Sequence, residues 1–393
     1  MKQASLSLYM WAVLGLLMAF TSLSVDIYLP AMPLMHNDLQ GDVELTITGF
    51  LLGFSIAQLI WGPISDRVGR KWPLLLGLIL FVIGSVGCAL ADNIVEMIIW
   101  RVIQAFGACV GPMLSRAMIR DLFGKTKAAE TLSVLMVIMA IAPIAAPLIG
   151  GQMIKFTTWH SMFWLLAVIG AIMALSVFGL PETLAPEKRQ ADAIHKAFSK
   201  YMQLLVNKKF MYYTLCVTFF YVAVYAFVAG SPNAYISYYG VDPAWFGAIF
   251  AINIIGMMGL SLVNRALVSR FHLDRLILYA SSIAAIASLL LVPLIAFDIG
   301  GIYGLIIPVF IFFSMNGIIA ASTTAAALDD LPKMAGAASA FLGALQYGSG
   351  VISTVLLSIF EDPSPLAMSA IIAFFTLAAF LMIFLKMRLD KKG

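Results

Sequence analysis

Two charged residues lie inside long apolar stretches of the chain. Asp26 falls within the stretch from residue 6 to 35, and Arg101 falls within the stretch from 94 to 117. Ionisable side chains inside a membrane span are costly and mark function by default. A carboxylate can take up and release a proton, whereas an arginine keeps its charge and serves as an anchor or modulator. The pair therefore indicates proton-coupled chemistry.

The depths of the two charges can be compared along their helices. Asp26 precedes the outer end of its stretch by about nine residues, which at about 1.5 Å per residue places it roughly 14 Å deep. Arg101 follows the outer start of its stretch by about eight residues and is therefore roughly 12 Å deep. We expect both at similar depth, lining a polar cavity in which Asp26 exchanges protons. A purely structural Asp26–Arg101 bond between helices is the other interpretation.

The composition requires a membrane to position these residues. Of 393 residues, 62% are hydrophobic and only 11% are charged, whereas a soluble domain carries about 25% charged residues. Twelve stretches approach the roughly 20 residues that span a bilayer as a helix. They cover approximately 6–35, 44–64, 73–91, 94–117, 130–154, 160–181, 210–231, 243–264, 275–297, 301–328, 335–360 and 365–386.

One polar segment divides these spans into two sets of six. Residues 182–209 are too charged to cross a bilayer, and they predict a cytoplasmic linker between an N-terminal six-helix bundle, 1–181, and a C-terminal one, 210–393. The first apolar stretch is longer than the roughly 7–15 residues of a signal peptide, so we interpret it as a retained span.

The positive charges predict the orientation. If both termini are cytoplasmic, 22 of the 24 basic residues fall on the inner side, and Lys155 alone falls outside. This bias predicts a multi-pass protein of a bacterial inner membrane with both termini inside. The basic residues are spread over separate loops, so nucleic acid is not an expected partner.

The sequence contains no pattern that predicts a cofactor site or an enzyme active site. The cysteines, Cys88, Cys109 and Cys216, sit in apolar runs without metal-ligand or pairing spacing, so we expect no disulfide, metal or other cofactor. A membrane enzyme would need a clustered catalytic set, and none is found.

The loop between the second and third spans carries a dense motif. Residues 62–71 read GPISDRVGRK. Its glycines permit a tight turn, and Arg70 needs an acidic partner, for which Asp121 is the natural candidate. The expected gating residues of this region are Gly62, Asp66, Arg67, Gly69, Arg70 and Asp121.

Two further motifs lie on spans four and five. Span four has Arg101, Gln104 and Gly107 at three-residue spacing. Span five reads APIAAPLIGG over 142–151. Prolines bend a membrane helix and glycines admit a close neighbour, so further gating roles are expected for Pro143, Pro147, Gly150 and Gly151.

These motifs resemble those of the major facilitator superfamily. The inner-loop motif matches at every named position, span five resembles the P-x-x-G-G antiporter signature, and residues 23–33 (LSVDIYLPAMP) are similar to twelve-span drug:proton antiporters, most closely the Bcr/CflA subfamily. Segments 159–164, 181–183 and 331–336 agree. The resemblance implies an all-α membrane protein with the major facilitator fold, two six-helix halves around one cavity. It also implies that the inner-loop residues latch the outward-facing state.

Substrate contacts are expected from polar and aromatic residues within the spans. Apolar walls with a few polar anchors are typical of ligand cavities. The candidates are Tyr28, Phe54, Gln58, Gln104, Met139, Tyr225, Asn253 and Gln346. Buried amides that bond between helices, and aromatic side chains that pack or face lipid, are the other interpretation.

We therefore expect a proton-coupled antiporter that exports small amphipathic drugs or toxic compounds by alternating access. Its expected partners are a small-molecule substrate, protons and membrane lipid, and it is expected to act as a monomer. The rival is a proton-coupled exporter of a metabolite such as an amino acid or a sugar on the same scaffold.

Overall fold

The computed structural model of the chain is built from helices throughout its described residues. These residues are 8–123, 125–189, 194–329, 331, 334–360 and 364–390. Lys2, Pro332 and Lys333, which entered the charge count and the 331–336 motif, lie outside them. No strand occurs in the described ranges.

Eight helices precede the predicted linker. They are α1 (Leu8–Asp26), α2 (Met32–Leu39), α3 (Glu44–Val68), α4 (Lys71–Ala89), α5 (Ile94–Ala108), α6 (Val110–Leu122), α7 (Lys125–Met153) and α8 (His160–Val177). A short 3-10 turn, Leu29–Ala31, joins α1 to α2. α2 continues the first span, and α6 continues the span begun by α5.

The remaining helices follow residue 193. They are α9 (Ile194–Val206), α10 (Lys208–Pro232), α11 (Pro243–Leu267), α12 (Leu273–Ala296), α13 (Ile302–Ser314), α14 (Asn316–Leu328), α15 (Ala335–Ile359) and α16 (Leu366–Asp390). A π-helical turn, Asn233–Tyr238, extends α10.

The predicted membrane architecture is confirmed. In the described part of the chain, eleven helical segments are long and apolar enough to cross a bilayer. The fifth expected span is α7, whose described apolar stretch, Met139–Met153, is shorter. Its two prolines, Pro143 and Pro147, lie inside the helix without ending it.

The chain forms two compact units. Unit 1 comprises residues 1–196 together with 243–247, and unit 2 comprises residues 197–242 and 248–393. The boundary between them therefore falls inside α9, within the segment expected to be a linker.

The two units share several pairings of their spans. In unit 1, the first span packs on the fourth and fifth, and the third packs on the fourth and sixth, through α1, α4, α5–α6, α7 and α8. In unit 2, the spans built on α10 and α12 repeat these pairings with α13–α14, α15 and α16. The shared pairing indicates an internal repeat of six spans.

Interrupted helices recur at equivalent places in the two sets. Among the described spans, the first, fourth, seventh and tenth are broken, at residues 27–31, at Cys109, at the π-helical turn and at Met315. The first three breaks have a proline beside them, whose missing N–H removes a helical hydrogen bond. Discontinuous spans in transporters typically carry the binding site.

A buried charge cluster links three helices at one end of unit 2. The Lys386 ammonium of α16 lies 2.7 Å from a carboxylate oxygen of Asp274 and 2.7 Å from one of Asp390. The Tyr213 hydroxyl donates to Asp274 at 2.5 Å, and its ring lies 4.9 Å from the Lys386 ammonium. Lys386 is 4% exposed. The cluster ties the start of α10 and α12 to the end of α16.

The Lys386→Met variant is expected to destabilise unit 2. The substitution keeps an apolar stem but leaves the Asp274 carboxylate without its cation. A loss of about 2 kcal/mol is expected, the usual magnitude for a hydrogen bond to a charged group. The measurement is the thermal unfolding midpoint of purified protein in detergent.

Arg388→Met is the matched control for this variant. Arg388 lies on the same helix and is exposed, so its removal is expected to leave the midpoint unchanged. Equal midpoints for both variants would contradict a stabilising role for the Lys386 cluster.

Candidate functional site

The first span breaks directly after Asp26. Pro30 has no N–H with which to bond the Asp26 carbonyl, so α1 ends there and a 3-10 turn follows. The span resumes at Met32 and runs to Leu39. Asp26 is thus the last residue of α1, at the negative end of the helix dipole.

Asp26 is buried, and its carboxylate has no partner among the residues that the structure describes. The residue is 7% exposed. Within the described residues, it takes part in no ion pair and accepts no hydrogen bond. Most buried polar groups in proteins are hydrogen-bonded. A buried carboxylate without a partner is therefore an exception, and its oxygens are available to bind a proton.

Arg101 is fully buried and makes four hydrogen bonds. Its guanidinium donates to the Ser24 carbonyl at 2.9 Å and to the Thr46 carbonyl at 3.3 Å. It also donates to the amide oxygen of Gln104 at 2.5 Å and to the hydroxyl of Tyr28 at 3.3 Å. The Ser24 carbonyl belongs to the last turn of α1, so Arg101 caps the broken helix.

Aromatic rings complete the surroundings of Arg101. The centre of its guanidinium lies 4.4 Å from the ring of Phe50, 4.7 Å from that of Tyr28 and 5.9 Å from that of Phe163. Such contacts stabilise a cation in place of water. Arg101 therefore needs no acidic partner, and the structural Asp26–Arg101 bond left open by the sequence is not formed.

Gln104 and Tyr28 support Arg101 in this structure. The amide nitrogen of Gln104 donates to the hydroxyl of Ser85 at 2.8 Å. The hydroxyl of Tyr28 shares a 3.0 Å hydrogen bond with that of Thr46. Both residues are completely buried. Their predicted substrate contacts stay predictions, and the observed contacts are those of positioning residues.

The span-five motif packs against the break in α1. A methyl group at Gly150 would lie 1.8 Å from the Ile27 carbonyl oxygen, so only glycine admits this approach of α7. Gly151 faces the carbonyl of Pro243, which belongs to the same unit. Of these two glycines, Gly150 therefore brings α7 against the residue next to Asp26.

The inner-loop motif forms an ion network. The Arg70 guanidinium lies 2.6 Å from Asp66 and 2.9 Å from Asp121, and it also donates to the Ser65 hydroxyl at 2.9 Å. The pair that the sequence suggested between Arg70 and Asp121 is thus present. We call Asp66, Arg70 and Asp121 the inner-loop cluster. Arg67 of the same motif is exposed.

Glu182 joins this region, although the sequence analysis gave it no role. Its carboxylate accepts the backbone N–H groups of Arg70 and Lys71 at 2.9–3.1 Å. Partial burial would raise the pKa of Glu182, but the N–H groups of Arg70, Leu184, Lys71 and Thr183 together hold that pKa below its usual range. Glu182 thus binds as a carboxylate and caps α4.

Gly69 makes room for the Glu182 carboxylate. Its backbone has φ 112°, a conformation that favours glycine, and a methyl group here would lie 2.5 Å from a Glu182 oxygen. Nothing lies within 4 Å of the corresponding position at Gly62. Gly69 is therefore required by its backbone conformation and by the Glu182 contact, whereas the space at Gly62 would admit a side chain.

The other substrate candidates of unit 1 lie on α3 and α7. Phe54 is buried and stacks with Phe50, with ring centroids 6.1 Å apart. The amide oxygen of Gln58, one turn along α3, is buried and has no hydrogen-bond partner. Met139 is partly buried on α7. Gln58 is the candidate with an unused polar group.

Unit 2 gathers its candidates around three tyrosines. The Tyr225 ring lies 6.0 Å from that of Tyr221 and 6.4 Å from that of Tyr347. The Tyr221 hydroxyl faces the amides of Asn316 and Gln346. This tyrosine–amide group joins two interrupted spans, through α10 and α14, with α15.

Asn253 and Asn316 use their amides differently. The Asn253 amide on α11 donates to the Ile249 carbonyl of its own helix at 3.3 Å. The Asn316 amide nitrogen donates to the sulfur of Met257 at 3.4 Å, while its amide oxygen is buried without a partner. Asn316 therefore keeps an acceptor for a further donor.

Several residues around Arg101 had no signal of their own in the sequence. Ser24 and Thr46 contribute backbone carbonyls, which every residue type provides. Phe50 and Phe163 are two of 27 phenylalanines, and Ser85 is one of many small residues. Their roles follow only from the tertiary contacts that bring them to one guanidinium.

The chain matches a known family over most of its length. The model of the Major Facilitator Superfamily matches residues 14–354. The chain is 36% identical to an uncharacterized MFS-type transporter of Bacillus subtilis, YdgK, with 89% of this chain and 88% of the relative covered. It is 30% identical to the bicyclomycin resistance protein homolog of Haemophilus influenzae, with 86% of each chain covered.

Further matches come from Escherichia coli. The chain is 28% identical to multidrug resistance protein D over 87% of each chain. Among solved structures, the xylose transporter XylE in a partially occluded inward-open conformation aligns with a TM-score of 0.73 at 14% identity, covering 96% of this chain and 98% of that one. This last likeness concerns the fold alone.

The Gly150→Ala variant is expected to disturb the break in α1. Its methyl group meets the Ile27 carbonyl at 1.8 Å, and overpacking of this kind costs about 1–3 kcal/mol. A lowered thermal midpoint and a lowered yield of monodisperse protein in detergent are expected.

Gly62→Ala is the control, because the space at Gly62 is open. Its midpoint is expected to equal that of the parent protein. If Gly150→Ala were as stable as Gly62→Ala, the close contact of α7 with the α1 break would be wrong.

Proposed function

Because this chain belongs to the major facilitator superfamily, we propose that it is a proton-coupled antiporter exporting small amphipathic drugs or toxic compounds. It is a multi-pass membrane transporter and not an enzyme. The relatives named for bicyclomycin and multidrug resistance support efflux of such compounds. The single observation that carries the coupling proposal is the buried, unpartnered carboxylate of Asp26.

Asp26 is proposed to load the proton. A buried carboxylate without a hydrogen bond carries a desolvation cost that binding a proton removes. Its place at the negative end of α1 also disfavours the charged form. Exposure of Asp26 to one side of the membrane and then the other would let it take up a proton outside and release it inside. One carboxylate suggests one proton per cycle.

Arg101 is proposed to hold the break rather than to exchange protons. It caps the Ser24 carbonyl and contacts the ring of Tyr28, which lie two residues before and after Asp26. These two contacts fix the backbone on both sides of the Asp26 carboxylate. Arg101 thus acts in coupling through Asp26.

Substrate binding is proposed to use unoccupied amide oxygens and aromatic faces. In unit 1 the free acceptor is the Gln58 amide oxygen, and in unit 2 it is that of Asn316. The tyrosine–amide group of unit 2 supplies aromatic faces through Tyr221, Tyr225 and Tyr347. A few polar groups among apolar walls suit amphipathic compounds of varied shape.

The inner-loop cluster is proposed to gate the cycle from the cytoplasmic side. Its Arg70 is buried between two carboxylates. The Glu182 carboxylate accepts a hydrogen bond from the N–H of Arg70 at the N-terminus of α4. Ion pairs of this kind form in one state and separate in another. The charge distribution supports a bacterial inner membrane location with both termini in the cytoplasm, and a single chain is proposed to suffice for transport.

The Asp26→Asn variant is expected to abolish coupling. The amide keeps the shape of the side chain but cannot take up a proton in exchange for substrate. Substrate-dependent proton release from purified protein, measured across a compound panel, is expected to fall at least ten-fold, while the thermal midpoint is retained.

Asp298→Asn serves as the matched control. Asp298 is exposed and has φ 49°, a conformation that asparagine also accepts. Its proton release is expected to match the parent protein. Full proton release by Asp26→Asn would overturn the coupling proposal, and release triggered only by sugars or amino acids would favour a metabolite exporter.

The two arginines of the inner loop are expected to tolerate substitution differently. Arg70→Lys loses the geometry that reaches Asp66 and Asp121 together, so drug efflux from cells is expected to fall at least five-fold at equal expression. Arg67→Lys changes an exposed side chain and is expected to retain efflux. Equal losses in both variants would argue against gating through the inner-loop cluster.

A further inference from the structure

The helix α9 lies between the sixth and seventh spans and packs on unit 2 with one face. Tyr201 is 4% exposed and stacks on Phe341 with ring centroids 5.9 Å apart. Leu204, one turn along, is 1% exposed. Phe341 also contacts Phe210, in the first turn of α10. These contacts hold α9 against the first turn of α10 and the second turn of α15.

A second face of α9 is apolar and exposed. Met202 is 59% exposed, Leu205 45% and Val206 79%. The spacing of these residues places them side by side on the helix. No described part of the chain covers them, and a stripe of this kind in water would be a liability.

A third face of α9 is polar. At 3.6 residues per turn, Gln203 and Lys200 fall between the apolar stripe and the protein-facing residues, and Ser199 lies next to Val206 at the edge of the stripe. Ser199 and Gln203 are exposed. A helix with separate protein-facing, apolar and polar sectors is typical of the boundary between a membrane and water.

The charge around α9 is of one sign. Residues 194–209 contain four lysines, at 196, 200, 208 and 209, and no acidic residue. Lys208 is exposed and follows the end of α9 after a single residue. Basic residues beside a span attract anionic lipid headgroups over about a Debye length.

The connection to α10 fixes the level of α9. The side chain of Asn207 accepts the N–H of Phe210 at 3.0 Å and so caps α10 directly after α9 ends. Since α10 begins a membrane span, the C-terminal end of α9 must lie at the membrane surface. Its packing on the first turn of α10 and the second turn of α15 keeps the rest of the helix close to that surface.

We propose that α9 is an interfacial anchor that seats in the headgroup region of the cytoplasmic leaflet. The stripe Met202, Leu205 and Val206 enters the boundary with the acyl chains, and the lysines at 200 and 208 bind anionic phospholipid headgroups. The partner is the lipid surface itself. This inference uses the inside location proposed for the linker but is independent of what the protein transports.

The test places a fluorescent label on neighbouring residues of α9. The described native cysteines are buried, so labelling of Met202→Cys or Gln203→Cys is directed to the new thiol. Each full-length protein is reconstituted in vesicles of phosphatidylcholine with phosphatidylglycerol. Headgroup-proximal spin-labelled lipid is expected to quench the label at 202 at least three-fold more than that at 203, while aqueous iodide is expected to show the reverse order.

The charge contribution is tested with Lys200→Gln/Lys208→Gln in the Met202→Cys background. Phosphatidylglycerol is expected to increase lipid quenching at 202 at least two-fold over pure phosphatidylcholine, and the double variant is expected to lose this increase. Equal lipid quenching at 202 and 203 would overturn the anchor, and a signal indifferent to phosphatidylglycerol would overturn anionic recognition. Neither readout involves transport, so a failed antiport assay leaves the inference standing.

Discussion

The burial of one permanent positive charge organises unit 1. A guanidinium inside an apolar region must have its donors bonded and its face covered, because bulk water is not there to do either. Arg101 meets this constraint with carbonyls from α1 and α3, an amide from its own helix and three aromatic rings. The first, second, fourth and sixth spans therefore all contribute groups that contact the Arg101 side chain. The third joins through Ser85 and Gln104.

The same arrangement leaves Asp26 chemically available. Since carbonyls, polar side chains and aromatic rings surround the Arg101 guanidinium, this cation forms no ion pair with the Asp26 carboxylate. The proline-made break exposes the end of α1, and Gly150 brings α7 against the neighbouring Ile27 carbonyl. A motif on the fifth span thus bears on a carboxylate in the first. This contact gives the proposed coupling residue a physical link to the antiporter-like signature.

The sequence was informative where residue type restricts the partner. The charges inside apolar runs, the twelve stretches and the pair Arg70–Asp121 follow from the costs of burying charge and from a dense motif. It was uninformative where the partner is a backbone atom. A carbonyl cap for Arg101 leaves no trace in residue identity, so the sequence left an Asp26–Arg101 bond open as the other interpretation. Glu182 was visible only as part of a resemblance, because its ligands are N–H groups.

The four interrupted spans have an energetic consequence for any change of shape. Bending an intact membrane helix means breaking backbone hydrogen bonds where no water can replace them. At residues 27–31, at Cys109, in the π-helical turn and at Met315, the regular bonding is already interrupted. Motion concentrated at these joints sacrifices few further bonds. The enthalpic barrier to such motion is correspondingly low. The helical segments between the interruptions can move as rigid bodies.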